Sequence, residues 1–234
     1  GKSVYILRRS YGMDLSKLGD INPYQKELST TIHIVGCGSV GSTQAELLAR
    51  YGFCKFKLYD FDFVESKNLC NQMFFNSDLN HNKAESLKNI LLSVNPDIEV
   101  QVFDKGYIDQ RLNGIVILCA DNIDLCRNIC KQNRLNPYIK VMLNYRTARY
   151  DAQHYAVEWR DKPSVDNLIK TMNFTHEEAK AETPVSACGV EIGESIVVRD
   201  IVLKGTTNLF KWITERKLSP LIISSPYKFD TVVM

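Results

Sequence analysis

The spacing that most plainly could do chemistry in this 234-residue chain is Gly36-Cys37-Gly38-Ser39-Val40-Gly41, a G-x-G-x-x-G. It follows the β-branched, apolar run Thr30-Thr31-Ile32-His33-Ile34-Val35, which reads as a buried strand, and it opens a segment with helical spacing. At such a strand-to-helix turn Gly36 permits the tight turn, Gly38 lets backbone approach a phosphate, and Gly41 allows close strand–helix packing, with helix N–H groups aimed at an anion. Asp60 ends the next strand, Lys55-Phe56-Lys57-Leu58-Tyr59, where a carboxylate accepts hydrogen bonds from ribose hydroxyls. These residues imply a bound nucleotide. By themselves they fit NAD as well as ATP.

The chain then reads Asp60-Phe61-Asp62-Phe63-Val64-Glu65-Ser66-Lys67-Asn68-Leu69-Cys70-Asn71-Gln72, with an aromatic patch before Lys83-Ala84 opens the next helix. This resembles the D-x-D-x-V-x-x-S-N-L-x-R-Q signature of the ThiF/MoeB/HesA adenylyltransferases and the ubiquitin-activating enzymes. The resemblance extends to Lys83 and to Cys119-Ala120-Asp121-Asn122, similar to that family's C-x-D-N, and covers about residues 30–135. It implies ATP-dependent adenylation of the C-terminal glycine of a small ubiquitin-like or sulfur-carrier protein. In that reading Asp60 and Asp62 belong to the nucleotide site, Asn68, Asn71 and Gln72 line the phosphate side, Lys83 contacts the phosphates, and Asp121 coordinates Mg2+. The chemistry suits these types: a carboxylate attacking the α-phosphate brings two anionic groups together, so cations and metal are needed. Bland alternatives stand beside two of the roles: Lys83 as a solvated first-turn lysine, and Asp121 as a helix N-cap.

One position departs from the pattern. Asn71 stands where the family keeps an arginine, leaving the pocket short of a fixed charge and a donor fork. Lys67, Arg8 or Arg9 are candidate substitutes. The other possibility is a non-catalytic, partner-binding subunit, and an NAD-dependent oxidoreductase stays open on the glycines and Asp60 alone.

Seven cysteines, at 37, 54, 70, 119, 126, 130 and 188, lack the paired spacing of a disulfide framework or a zinc site. No structural zinc is expected. Cys188, in Thr183-Pro184-Val185-Ser186-Ala187-Cys188-Gly189, resembles the crossover-loop cysteine on which many family members form a thioester, though it comes later after Thr-Pro. A buried small hydrophobe is the competing reading there, and the expected one for Cys54, Cys70, Cys119, Cys126 and Cys130. His33, His81, His154 and His176 show no catalytic or metal-binding arrangement, and Trp159 and Trp212 read as core or interface.

Positioning these residues requires strands and helices in alternation. The pattern predicts strands over 30–35, 55–59, 98–103 and 114–119, with helices over 39–51, 83–94 and 123–135. This is an α/β, Rossmann-like doubly wound, mostly parallel sheet with helices on both faces and a C-terminal crossover extension. Beyond Tyr138, strands are expected over 139–143 and 152–159, a last helix within 193–216, and a terminal strand at Leu221-Ile222-Ile223. Residues 161–182 read as polar and loop-like with a possible helix around 176–181. The whole chain, 1–234, is expected to be one domain, with an N-terminal helical or arm segment over 1–29 and a crossover loop over 161–192.

Composition sets the limits. Hydrophobic residues at 44% and charged residues at 24% supply a core and exclude disorder. Twenty-nine basic against 27 acidic residues give a net charge of +2, too even for a global nucleic-acid or membrane field. No apolar run approaches the roughly 20 residues that span a bilayer, and the start lacks a signal-peptide core. The cysteine usage and these absences place the expectation in the cytoplasm, and the family resemblance implies a homodimer.

Overall fold

The structure, a computed structural model, describes residues 9–10, 13–19, 23–182 and 193–234. Near the start, β1 (Arg9–Ser10) pairs antiparallel with β2 (Met13–Asp14), and two single 3-10 turns follow at Ser16–Leu18 and Gln25–Glu27. This arm is fastened by buried Leu15 and Leu28, and by Tyr24, whose ring stacks on Phe210 at 4.1 Å.

The main sheet has eight strands: β3 (Ile32–Val35), β4 (Lys55–Tyr59), β5 (Glu99–Phe103), β6 (Gly114–Leu118), β7 (Ile139–Thr147), β8 (Ala152–Glu158), β9 (Leu221–Ser225) and β10 (Asp230–Val233). Their spatial order is β10-β9-β8-β7-β6-β3-β4-β5, parallel from β5 through β7 and antiparallel thereafter. Ile32 sits opposite Phe56 on one side and Ile115 on the other, so β3 is central and all four of its residues are buried. That explains the continuous apolar run, because a parallel strand covered on both faces has no solvent side to alternate toward.

Alternating side chains divide the core into two layers. Ile32 and Ile34 face a layer filled by α1 (Ser39–Arg50), α2 (Lys83–Val94) and α6 (Ser195–Glu215), with Leu48, Leu87, Leu91, Ile201 and Leu209 fully buried. Val35, Val116 and Leu118 face the other layer, with α3 (Ile123–Gln132) and α4 (Lys162–Thr171) supplying Cys126, Ile129, Val165 and Leu168. Each such leucine contributes about 2 kcal/mol by leaving water. The helices after β3 and β6 therefore leave to opposite faces, which opens a crevice at the carboxyl ends of these adjacent strands.

Three expectations change. The segment expected to be loop-like from 161 contains α4 before a short α5 (His176–Glu182). Asp161 caps α4 by accepting the Ser164 N–H, Pro163 sits in its first turn, and Val165, Leu168 and Met172 form the buried stripe. Leu221–Ser225 is not the terminal strand, since a turn returns the chain as β10 on the sheet edge. Cys70 is exposed, not buried: it lies just past a 3-10 turn with no helix or strand to carry it inward. Trp159 and Trp212 are core residues, and no helix among the described residues is long and apolar enough to cross a membrane.

Candidate nucleotide-binding site

The crevice is built where β3 ends. Gly36 has φ +90°, and a Cβ there would lie 2.7 Å from the Ala120 backbone nitrogen, so the loops after β3 and β6 touch backbone to backbone. A Cβ on Gly41 would lie 1.9 Å from the Gly36 carbonyl oxygen, which is why α1 can start so close to its strand. Gly38 is the N-cap of α1, offers no capping side chain, and has no acidic residue after it in the first turn. An uncapped helix start leaves N–H groups and positive dipole for an anion. Among the described residues a Cβ on Gly38 would have only the Gln72 Nε2 within 4 Å, at 3.8 Å, so they leave the approach to this backbone open.

Asp60 supports the loop as well as facing the crevice. Its Oδ2 accepts the Cys37 N–H at 2.6 Å and its Oδ1 the Asp62 N–H at 2.8 Å. Burial raises its pKa above the ordinary value, with these two N–H bonds and the Lys83 charge opposing that rise. Asp62 holds the next element: its carbonyl accepts the Lys83 N–H at 2.8 Å, and its carboxylate lies 3.4 Å from Lys83 Nζ. Lys83 is 9% exposed, so it is not the solvated first-turn lysine of the alternative reading.

The residue that joins these parts is Asn82, which was not legible as a site residue. Its Oδ1 caps α2 by accepting the Ala84 and Glu85 N–H groups at 2.9 and 3.1 Å, and its Nδ2 donates to the Asp60 and Asp62 carbonyls at 2.9 and 3.3 Å. The available signal is an asparagine three residues before Glu85, where an N-cap is expected.

On the phosphate side, Asn68 is buried and spends its Oδ1 on the Glu65 N–H at 2.8 Å, closing its own turn. Gln72 carries a buried Oε1 with no partner among the described residues, an orphaned acceptor beside the glycine loop. Asn71 donates from Nδ2 to the Gly193 carbonyl at 3.3 Å. Across the crevice, the cap of α3 is Asn122, whose side chain accepts the Leu125 N–H at 3.1 Å; Asp121 is exposed and does not cap the helix. The donor set suits magnesium, which is commonly held by one or two carboxylates together with phosphate oxygens rather than by a protein cage. Among the described residues no group of three or more histidine, cysteine or acidic side chains is arranged to hold a metal ion by itself.

Of the proposed substitutes for the missing arginine, Lys67 is paired with Glu65 at 3.1 Å, and the side chains of Arg8 and Arg9 lie outside the described residues. Cys188 and its Thr183-Pro184 pair also lie outside them. Burial pushes the thiols of Cys37, Cys119, Cys126 and Cys130 well up, that of Cys126 to about 12, which makes them poor nucleophiles. His33 and His154 are buried and hydrogen-bonded to Tyr59, Asn113 and Asn208, with burial lowering their pKa values to about 4 and about 3.

A glycine loop at the switch point of a parallel sheet, an acid at the neighbouring strand tip and an uncapped helix start define a Rossmann-like domain with a candidate nucleotide site. The chain belongs to the ThiF family, whose model matches residues 11–224. Ubiquitin-like modifier-activating enzyme 5 of Caenorhabditis elegans is 32% identical over 130 residues, covering 48% of this chain and 31% of that protein. The Xenopus laevis protein of the same name is 37% identical over 131 residues, covering 48% and 33%. The matched region thus spans about a third of these curated relatives. Among solved structures, E. coli MccB with ATP superposes with a TM-score of 0.67 at 19% identity, over 92% of this chain and 65% of that one. MccB with MccA-N7isoASN gives a TM-score of 0.71 at 18% identity, over 92% and 67%. These two likenesses show the shared fold.

Proposed function

We propose that this chain uses ATP to adenylate a carboxylate, that of the C-terminal glycine of a small ubiquitin-like or sulfur-carrier protein. A carboxylate oxygen attacks the α-phosphorus, the bond to the bridging oxygen breaks, and pyrophosphate leaves with the electron pair. The observation that carries this reading is the buried Lys83 beside an open, uncapped glycine loop. A buried ammonium is costly without an anion to justify it, and its nearest carboxylate partner, on Asp62, is half exposed at 3.4 Å. In the proposed complex Asp60 binds the ribose, the α1 N–H groups and Lys83 offset the phosphate charge, and the Gln72 and Asn68 amides lie alongside. Magnesium, held by Asp121 and phosphate oxygens, supplies further neutralisation.

The named relatives support the choice of substrate class, and MccB, crystallised with ATP and with MccA-derived ligands, supports the nucleotide. Thioester formation on Cys188 belongs to the same proposal. Its sulfur would displace AMP from the acyl adenylate, so Cys188→Ala keeps pyrophosphate exchange while losing a reductant-sensitive adduct. One observation favours a second reading: with Asn71 for arginine and its amide spent on Gly193, the site is weakened toward a partner-binding role without turnover.

Ligand-dependent melting separates the nucleotides. MgATP is expected to raise the melting temperature, and NAD without magnesium is not. Stabilisation by NAD alone returns the chain to the oxidoreductase reading.

A further inference from the structure

An ATP triphosphate held by one buried lysine and one helix start lacks the planar donor fork that Asn71 cannot supply. We infer that Arg199, from α6, provides it. This inference rests on the adenylation reading above and names the residue that completes its phosphate site.

The placement follows from how two helices run. Gln44, in the middle of α1, donates from Nε2 to Thr206 Oγ1 of α6 at 2.8 Å, and Tyr51, just past the end of α1, meets Phe210 further along α6 with ring centroids 4.7 Å apart. The helices therefore run side by side in the same direction, and both begin at the carboxyl end of the parallel strands. Residues 71–73 lie between the two starts. The Met73 N–H donates to Ser42 Oγ of α1 at 3.2 Å, the Asn71 amide donates to the Gly193 carbonyl just before α6, and Arg199 Nη2 lies 3.7 Å from Met73 Sδ. The guanidinium thus reaches the very segment whose arginine is absent, two residues from the substituted position, while the intervening Gln72 faces Gly38.

Arg199 is also uncommitted. It is exposed, its other hydrogen bond goes to Ser195 Oγ on its own helix, and no carboxylate lies within ion-pair distance of it among the described residues. The neighbouring Asp200 is taken by Lys204 and Ser224. A thioether is a weak acceptor, so exchanging Met73 Sδ for phosphate oxygens replaces a poor contact with charge-assisted ones. The bland role, a solvated surface arginine, predicts no effect on nucleotide binding.

The test is calorimetric titration of the chain with MgATP and, separately, with adenosine, which carries no phosphate. Arg199→Ala is expected to weaken MgATP binding by about tenfold to a hundredfold with adenosine binding unchanged, and Arg199→Lys to fall between. Asn71→Arg placed in the Arg199→Ala background is expected to recover most of the loss, since it restores the fork from the family's own position. If Arg199→Ala binds MgATP like the wild type while Lys83→Ala does not, the inference is overturned and the proposed function stands. If the wild-type chain binds no MgATP, both fall. Failure of Asn71→Arg to rescue a well-folded Arg199→Ala overturns the substitution argument.

Discussion

Neighbouring residues in this crevice divide their duties in some places and combine them in others, and substitution assigns each where they divide. Asp121 and Asn122 are adjacent, but only Asn122 holds the start of α3, so the magnesium role proposed for Asp121 is separable from helix capping. Asp121→Asn is therefore expected to raise the magnesium concentration for half-maximal pyrophosphate exchange by about tenfold or more with the melting temperature unchanged. Asn122→Ala is expected to cost about 1 kcal/mol of stability in urea titrations. Equal magnesium dependence in Asp121→Asn and wild type contradicts the assignment. Asp60 cannot be divided this way, because its oxygens already fasten Cys37 and Asp62, and its removal would disturb the loop along with any ribose contact.

At the level of elements, the site stands on two junctions: the strand-to-helix turn at Gly36 and the return from β4 to α2 at Asn82. Asn82→Ala removes two cap acceptances and two donations, and is expected to destabilise the chain by about 1–2 kcal/mol in urea titrations. A loss under about 0.3 kcal/mol contradicts its joining role. The elements most legible in the sequence are those with a continuous apolar run or a strong apolar period: β3, β4, β6, α1 and α2 fall within two residues of their expected bounds. The α4 helix is hard to read because its buried stripe is only Val165, Leu168 and Met172 in a polar stretch; the signal it does carry is the cap at Asp161 with Pro163. The β10 strand escaped because all four of its residues are exposed at a sheet edge, where no alternation is imposed. In the site, the order of Gly36, Asp60, Asn68, Gln72, Lys83 and Asp121 was readable from the motif. What was not readable was the share of polar capacity each spends on backbone, as Asn68 does on Glu65 and Asn71 on Gly193.

Across the whole molecule, the buried histidines tie stability to pH. His33, near pKa 4, and His154, near 3, are both depressed by burial from the ordinary 6.5, so the unfolded chain binds their protons first as pH falls. Stability is then lost as pH drops below about 6.5, with a limiting slope of about 1.4 kcal/mol per pH unit for each histidine. The urea midpoint is expected to fall between pH 7 and pH 5, before carboxylates such as Glu27, held below its ordinary pKa by hydrogen bonds from Lys140 and Thr30 despite burial, begin to protonate. A constant midpoint contradicts the neutral buried state of both rings. The two core layers exist to hold the crevice between β3 and β6, and its proposed chemistry is measured most directly by ATP–pyrophosphate exchange. The assay takes this chain, MgATP, labelled pyrophosphate and a panel of small ubiquitin-fold proteins ending in glycine. The account expects exchange that depends on one of those carboxyl termini, vanishes when its last glycine is deleted, and drops at least a hundredfold in Lys83→Ala without a change in melting temperature. Exchange at the wild-type rate in Lys83→Ala, or none from the wild type with any member of the panel while it binds MgATP, contradicts it.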